Sequence, residues 1–148
     1  KGALFLAIGV IGAQTGRATM RTIEGAGRQI PMTMTAILFG GLALIGVPLT
    51  AGFISKLYLI RALLESDFWV LAGLTFVSSA LALAYVWKIV EAAWLKPRPE
   101  GAPDLYETPM MWLPAWLLVI ATIGFGIFAS PLINGAVQAA AVFFGGQS

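Results

Sequence analysis

Apolar residues run along this chain in long unbroken blocks, and the polar residues gather into a few short interruptions. Blocks of this kind read as helices, because a half-buried strand would alternate at every second position. A bilayer core about 30 Å thick is crossed by about 20 mostly apolar helical residues, and the blocks approach that length. Residues 2–13 predict a first helix, cut in its middle, since the apolar run starts beside Lys1 with no Met before it. Residues 14–30 predict a polar loop carrying Arg17, Arg21, Glu24 and Arg28. A second helix over 31–47 opens on Pro31, whose missing N–H costs nothing in a first turn.

Next, Pro48-Leu49-Thr50-Ala51-Gly52 marks a break, because Pro removes a ladder hydrogen bond and Gly loosens the helix. The following helix, 50–65, is expected to be short or broken, since residues 31–64 are too few for two full spans. Residues 68–95 form the longest block. Glu65-Ser66-Asp67 stand before it and suit a helix N-terminus, where acids and Ser satisfy orphan N–H groups. Pro97, Pro99, Pro103 and Pro109 make 96–109 an extended connector. Residues 110–129 predict the last span, with Trp112 and Trp116 near an interface, and 132–144 a tail helix after Pro131.

Composition agrees with a chain that faces lipid or protein. Hydrophobic residues are 59% and charged residues 11%, against about 25% charged in a soluble domain. The fold class is therefore all-α, a polytopic transmembrane helix bundle in one membrane domain. Net charge is +2 without a basic cluster, which argues against nucleic acid as a partner. There is no Cys and no His, so thiolate and imidazole chemistry is excluded. No metal site, cofactor or catalytic residue is expected. The loop 14–30 holds three Arg and the connector 96–109 one Lys and one Arg, a near balance that leaves membrane orientation open.

The informative residue is Lys56. A charge inside an apolar span costs about 2.5–3.5 kcal/mol on insertion scales and is a functional candidate by default. Burial favours the uncharged form of a lysine and so makes it able to exchange a proton. The break at Pro48, Thr50 and Gly52 frees backbone groups that bind water, and water chains carry protons. The bland alternative places Lys56 in the headgroup region beyond a short helix. Lys1 follows the same logic if its helix continues upstream. Lys88 and Glu91, three apart, share a helix face and form either a relay pair or an ordinary interfacial ion pair. Arg61, Glu65 and Asp67 read as interface residues, and Glu24 with its arginines as a solvated loop. Gly40, Gly41 and Gly46 read as packing residues, and Ser78 and Ser79 as interhelical hydrogen-bonders.

Two stretches resemble a known family. They are Gly25-Ala26-Gly27-Arg28-Gln29-Ile30-Pro31 and Gly46-Val47-Pro48-Leu49-Thr50-Ala51-Gly52-Phe53-Ile54-Ser55-Lys56. Both look like the proton-conducting antiporter-like subunits, found in Mrp-type sodium/proton antiporters and among the pumping subunits of respiratory complex I. Lys1-Gly2-Ala3-Leu4-Phe5-Leu6 is similar to the family's lysine helix. The resemblance implies the C-terminal part of a 14-helix fold: the end of the tenth helix, then the eleventh to fourteenth, with a broken helix between Pro48 and Lys56. It implies that Lys1 belongs to a central polar axis and that Lys56 ends the proton path, with the 96–109 connector in the cytoplasm. The run 85–93 and the absence of a long lateral helix are similar to the D-type large subunits of the Mrp antiporters.

The resemblance further implies a secondary transporter subunit rather than an enzyme, exchanging Na⁺ for H⁺ in a bacterial inner membrane with other subunits of a hetero-oligomeric complex. A pumping subunit of a complex I-like oxidoreductase or a membrane-bound hydrogenase is the alternative. A purely structural membrane subunit is the third reading. The stretch is not expected to fold alone, because its packing faces would meet lipid.

Overall fold

A computed structural model of the chain describes residues 1–129 and, beyond them, 133–135, 138, 139 and 142. The tail helix expected over 132–144 lies for the most part outside the described residues. Among the described residues, the α-helices follow in order: α1 (Gly2–Thr15), α2 (Met20–Ile23), α3 (Pro31–Ile45), α4 (Ala51–Glu65), α5 (Trp69–Val90) and α6 (Pro109–Ile127). No strand occurs among the described residues. A five-residue π-helical turn, Glu91–Leu95, extends α5 into a rod of 27 residues. That rod and α6 are each long and apolar enough to cross a membrane.

α1, α3 and α6 pack against one another, and α3 also packs along α5. Their contact is made by small and branched residues: Ala7, Ile11, Ile37, Ala115 and Val119 are all buried. Small residues let helices approach closely. Gly40 faces the Leu4 side chain and Gly41 faces Val86, each within about 3 Å of where a Cβ would stand. By contrast α5 buries only Ala72, Val86 and Ile89, while Val70, Phe76 and Leu81 stand out from its surface. An apolar outer face of that size belongs against lipid or a partner.

The loop expected over 14–30 is more ordered than a solvated loop. α1 runs on to Thr15, α2 opens on a capping box between Thr19 and Thr22, and a 3₁₀ turn spans Ala26–Arg28. Its partner is the connector. Glu24 pairs with Lys96 at 3.1 Å, Arg98 donates to the carbonyls of Thr22 and Glu24, and Gln29 bonds Asp104 and the Leu105 N–H. The Gly25 N–H reaches Ala92 O at 2.9 Å, and Gly25 holds φ +68 against the Arg98 backbone, where a side chain would collide. Loop and connector therefore lie on the same side of the bundle. Bonds that join residues more than 70 positions apart are invisible to local sequence patterns.

Glu107 completes that side. Its carboxylate accepts from Met32 N (3.2 Å), Thr33 N (2.6 Å) and Thr33 Oγ1 (2.8 Å), closing the orphan N–H groups at the start of α3. A carboxylate there also faces the positive end of the helix dipole. Glu107→Gln is expected to lower the stability of the assembled protein by about 1 kcal/mol, and Glu107→Ala by about 2. Thermal unfolding in detergent checks both.

At the other side, the acidic stretch before α5 does not cap it. Ser66 closes α4, its N–H bonding Ala62 O, and Asp67 takes φ +60 to turn the chain. The Phe68 N–H then bonds Leu63 O at 2.8 Å, so α5 begins without a side-chain cap. The tight reversal engages the backbone N–H groups of Ser66 and Asp67 at the end of α4, and neither side chain bonds the first N–H groups of α5.

Because α3 begins on the loop side and α5 ends there, α3 and α4 together make one crossing that returns through α5. The two helices of the crossing, 15 residues each, are separated by the break at 46–50. The sequence pattern gives two helices here; their union into one broken crossing comes from packing.

Candidate functional site: a lysine on a broken helix

α3 ends at Gly46, which takes φ +90, a conformation natural for Gly and strained for other residues. The chain then passes Pro48, turns at Leu49 with φ +76, and enters α4 after Thr50. Thr50 does not cap α4. Its hydroxyl instead donates to Val47 O at 2.7 Å and so ties the break together. Two glycines admit the break into the bundle. A Cβ on Gly52 would overlap Ala43 O, and a Cβ on Gly126 of α6 would overlap Leu49 O.

A helix that stops inside a bundle leaves its last carbonyls without N–H partners. Lys56, on the second turn of α4, supplies them. Its Nζ donates to Leu44 O at 3.0 Å, to Ile45 O at 2.8 Å and to Ser79 Oγ of α5 at 2.7 Å. The stem passes over Gly46, with Cδ 3.1 Å from the position a Cβ would take there. An ammonium group has three N–H donors and no acceptor, so each donor has one partner. The cation also sits at the negative end of the α3 dipole. α3 thus carries a carboxylate at its start and an ammonium at its end, both brought from distant parts of the chain.

Ser79 marks the level of Lys56 along the long rod. It lies in the middle third of the 27-residue rod, a rod about 40 Å long at 1.5 Å per residue. Lys56 is half-buried and opens onto a cleft of about 900 Å³ between α1, α3, α4, α5 and α6. Ser55, Thr50, Ser78 and Thr122 give that cleft polar edges, and Lys1 stands at its α1 wall. Polar edges of this kind hold ordered water. The two lysines therefore share one space, although they stand far apart in sequence. A second cavity of about 310 Å³, lined by Leu4, Phe5, Ile37, Tyr85, Val86 and others, also touches Lys1 but is mostly apolar.

Lys88 and Glu91 are placed elsewhere. Lys88 is exposed, Glu91 opens the π-helical turn, and no ion pair joins them among the described residues. Neither lines the cleft. Glu107 carries no signal as a site in the sequence beyond being a lone acid before a Thr-Pro helix start. Ser79 is legible only as one of two adjacent serines in an apolar helix; its bond to Lys56 crosses 23 positions.

The arrangement is that of a multi-pass membrane protein with an ionisable group at an interrupted crossing. Residues 1–82 match the family described as NADH:quinone oxidoreductase/Mrp antiporter, TM, and the chain belongs to that family. Among curated proteins it is 33% identical to NADH-quinone oxidoreductase subunit N of Desulforudis audaxviator, over 93% of this chain and 30% of that protein. It is 29% identical to F(420)H(2) dehydrogenase subunit N of Methanosarcina mazei, over 82% of this chain and 24% of that protein. The fold matches a chain of the Mrp complex from Dietzia sp. DQ12-45-1b with a TM-score of 0.80 at 24% identity, covering 94% of this chain and 34% of that one. The chain thus spans about a third or less of the length of these relatives. It is an antiporter-like membrane subunit segment of all-helical fold.

Proposed function

We propose that the protein to which this segment belongs conducts protons as one subunit of a multi-subunit complex in a bacterial plasma membrane, and that Lys56 is the group that takes up and releases the proton. The observation that supports this reading is the surroundings of Lys56: an ammonium bonded to the middle of the long rod, held by a helix end, and open on one side to a cleft with polar edges. Lys1, across that cleft, is its electrostatic partner. Two cations facing one low-dielectric space repel, so charging one favours proton loss from the other. Lys88 and Glu91 would extend the path sideways only through water, since neither is joined to any group in the cleft among the described residues.

Two sources of driving energy fit the relatives. The sequence relatives at 33% and 29% identity are named as oxidoreductase and dehydrogenase subunits, which supports proton movement powered by electron transfer in partner chains. The 148 residues hold no Cys or His, so redox centres with such ligands would lie outside this segment. Exchange of Na⁺ for H⁺ is the second reading, supported by the Mrp fold match and by the run 85–93.

Everted vesicles carrying the full-length protein with its neighbouring subunits separate the two. Proton uptake that starts on adding NADH or another reduced donor, and is indifferent to Na⁺, supports the redox-driven reading. Collapse of a preformed pH gradient on adding Na⁺ supports exchange. The absence of both responses would contradict proton conduction itself.

A further inference from the structure

The three partners of Lys56 are not equivalent. Leu44 O and Ile45 O are carbonyls and can only accept. Ser79 carries a hydroxyl, which both accepts and donates. In the structure Ser79 Oγ accepts from Lys56 Nζ at 2.7 Å, the shortest of the three bonds, while its own O–H donates to Thr75 O at 3.1 Å. Thr75 O lies one turn back in the same helix and belongs to the backbone ladder of α5. It keeps a partner if the hydroxyl turns away.

We propose that Ser79 is the positioning residue that lets Lys56 change protonation state without losing its seat; the inference rests on the reading of Lys56 as the proton-exchanging group. When Nζ gives up a proton it retains two N–H groups and gains a lone pair. The two N–H groups stay on Leu44 O and Ile45 O. Rotation about the Ser79 Cβ–Oγ bond then moves the hydroxyl hydrogen from Thr75 O to that lone pair, and Oγ–H···Nζ replaces Nζ–H···Oγ. The proton that leaves is the one held by Ser79 Oγ: a cleft water displaces Oγ from that N–H and accepts the proton, after which the hydroxyl returns as the donor. Regaining a proton reverses each step. A carbonyl in place of Ser79 would face the lone pair with another lone pair, and a methyl group would offer nothing.

Among the described residues, the only titratable group that shares the cleft with Lys56 is Lys1 on α1. The cleft-lining residues of α3, α5 and α6 include none, and on α4 Tyr58 and Arg61 are exposed. The bond made by the ammonium is charge-assisted and about twice as strong as the one made by the amine. Loss of Ser79 therefore weakens the protonated state more than the neutral one, and the pH dependence of transport moves to lower pH.

The test uses the full-length protein in its complex, in vesicles, under whichever drive moves protons in the wild type. Ser79→Ala is expected to cut the rate about tenfold at neutral pH and to shift the pH profile down by about one unit. Ser79→Thr, which keeps the hydroxyl, is expected to restore rate and profile. A Ser79→Ala rate that is unchanged, or lowered equally at every pH, would overturn the proposal, as would a Ser79→Thr variant that behaves like Ala. If Ser79→Ala does not assemble, a displaced profile in Ser79→Thr with Lys56→Ala inactive counts against it. Should Lys56→Ala transport as well as wild type, the reading of Lys56 itself fails, an outcome distinct from the failure of Ser79 alone.

Discussion

Replacement of Lys56 by Ala is expected to reduce proton transport at least about a hundredfold, to the background of vesicles lacking the protein. A positioned acid–base group contributes about two to four orders of magnitude, and among the described residues no second titratable side chain lines the cleft on the α4 side. The variant also loses both bonds at the end of α3 and the bond to Ser79 of α5. Two carbonyls then depend on cleft water, at a cost of about 1–3 kcal/mol. Transport and stability therefore fall together in Lys56→Ala, and thermal unfolding of the complex must be recorded beside the rate. A rate within a few-fold of wild type, at equal assembly, would contradict the assignment.

Gly52→Ala is expected to prevent assembly or to destabilise the protein by at least about 3 kcal/mol. The added methyl group has no space, because Ala43 O occupies its position, and the obstacle is backbone rather than a flexible side chain. Gly126→Ala meets Leu49 O in the same way from α6. Overpacking of a rigid site costs about 1–3 kcal/mol and more when backbone must move. Gly73→Ala and Gly124→Ala are the matched controls, since nothing lies within 4 Å of either position. Those two should be neutral or stabilising by up to about 1 kcal/mol, as Ala is the better helix former. Equal losses at all four positions would show that the close approach at the break is not what the glycines serve.

The helical class was legible because lipid-facing helices leave an unambiguous pattern of long apolar blocks. Lys56 was legible for the same reason, as a charge where the pattern tolerates none. The break was marked by Pro48 and Gly52, residues that fail a helix locally. What stayed hidden is everything decided by the meeting of distant segments. The joining of α3 and α4 into one crossing depends on where α5 returns. The bonds from Glu107 to the start of α3 and from Ser79 to Lys56 connect residues 74 and 23 apart. Glu65-Ser66-Asp67 serve the end of α4 rather than the start of α5, because the chain reverses at Asp67 with φ +60 and α5 opens on Phe68 without a side-chain cap. The relation of Lys88 to Glu91 also could not be read from spacing. A shared helix face puts two side chains near each other but does not oblige them to bond.

Both ends of α3 bear on the role of Lys56. A carboxylate at its start and an ammonium at its end complement the two poles of its dipole.

The most direct measurement is proton transport by Lys56→Arg in the intact complex, compared with wild type at matched assembly and under the same drive. Arginine keeps the positive charge and can serve the α3 carbonyls, but it does not release its proton at any accessible pH. A variant that assembles with near-normal stability and transports at background is the predicted result. Transport at the wild-type rate would contradict proton exchange at this position, and would reduce Lys56 to a fixed cation that closes the end of a helix.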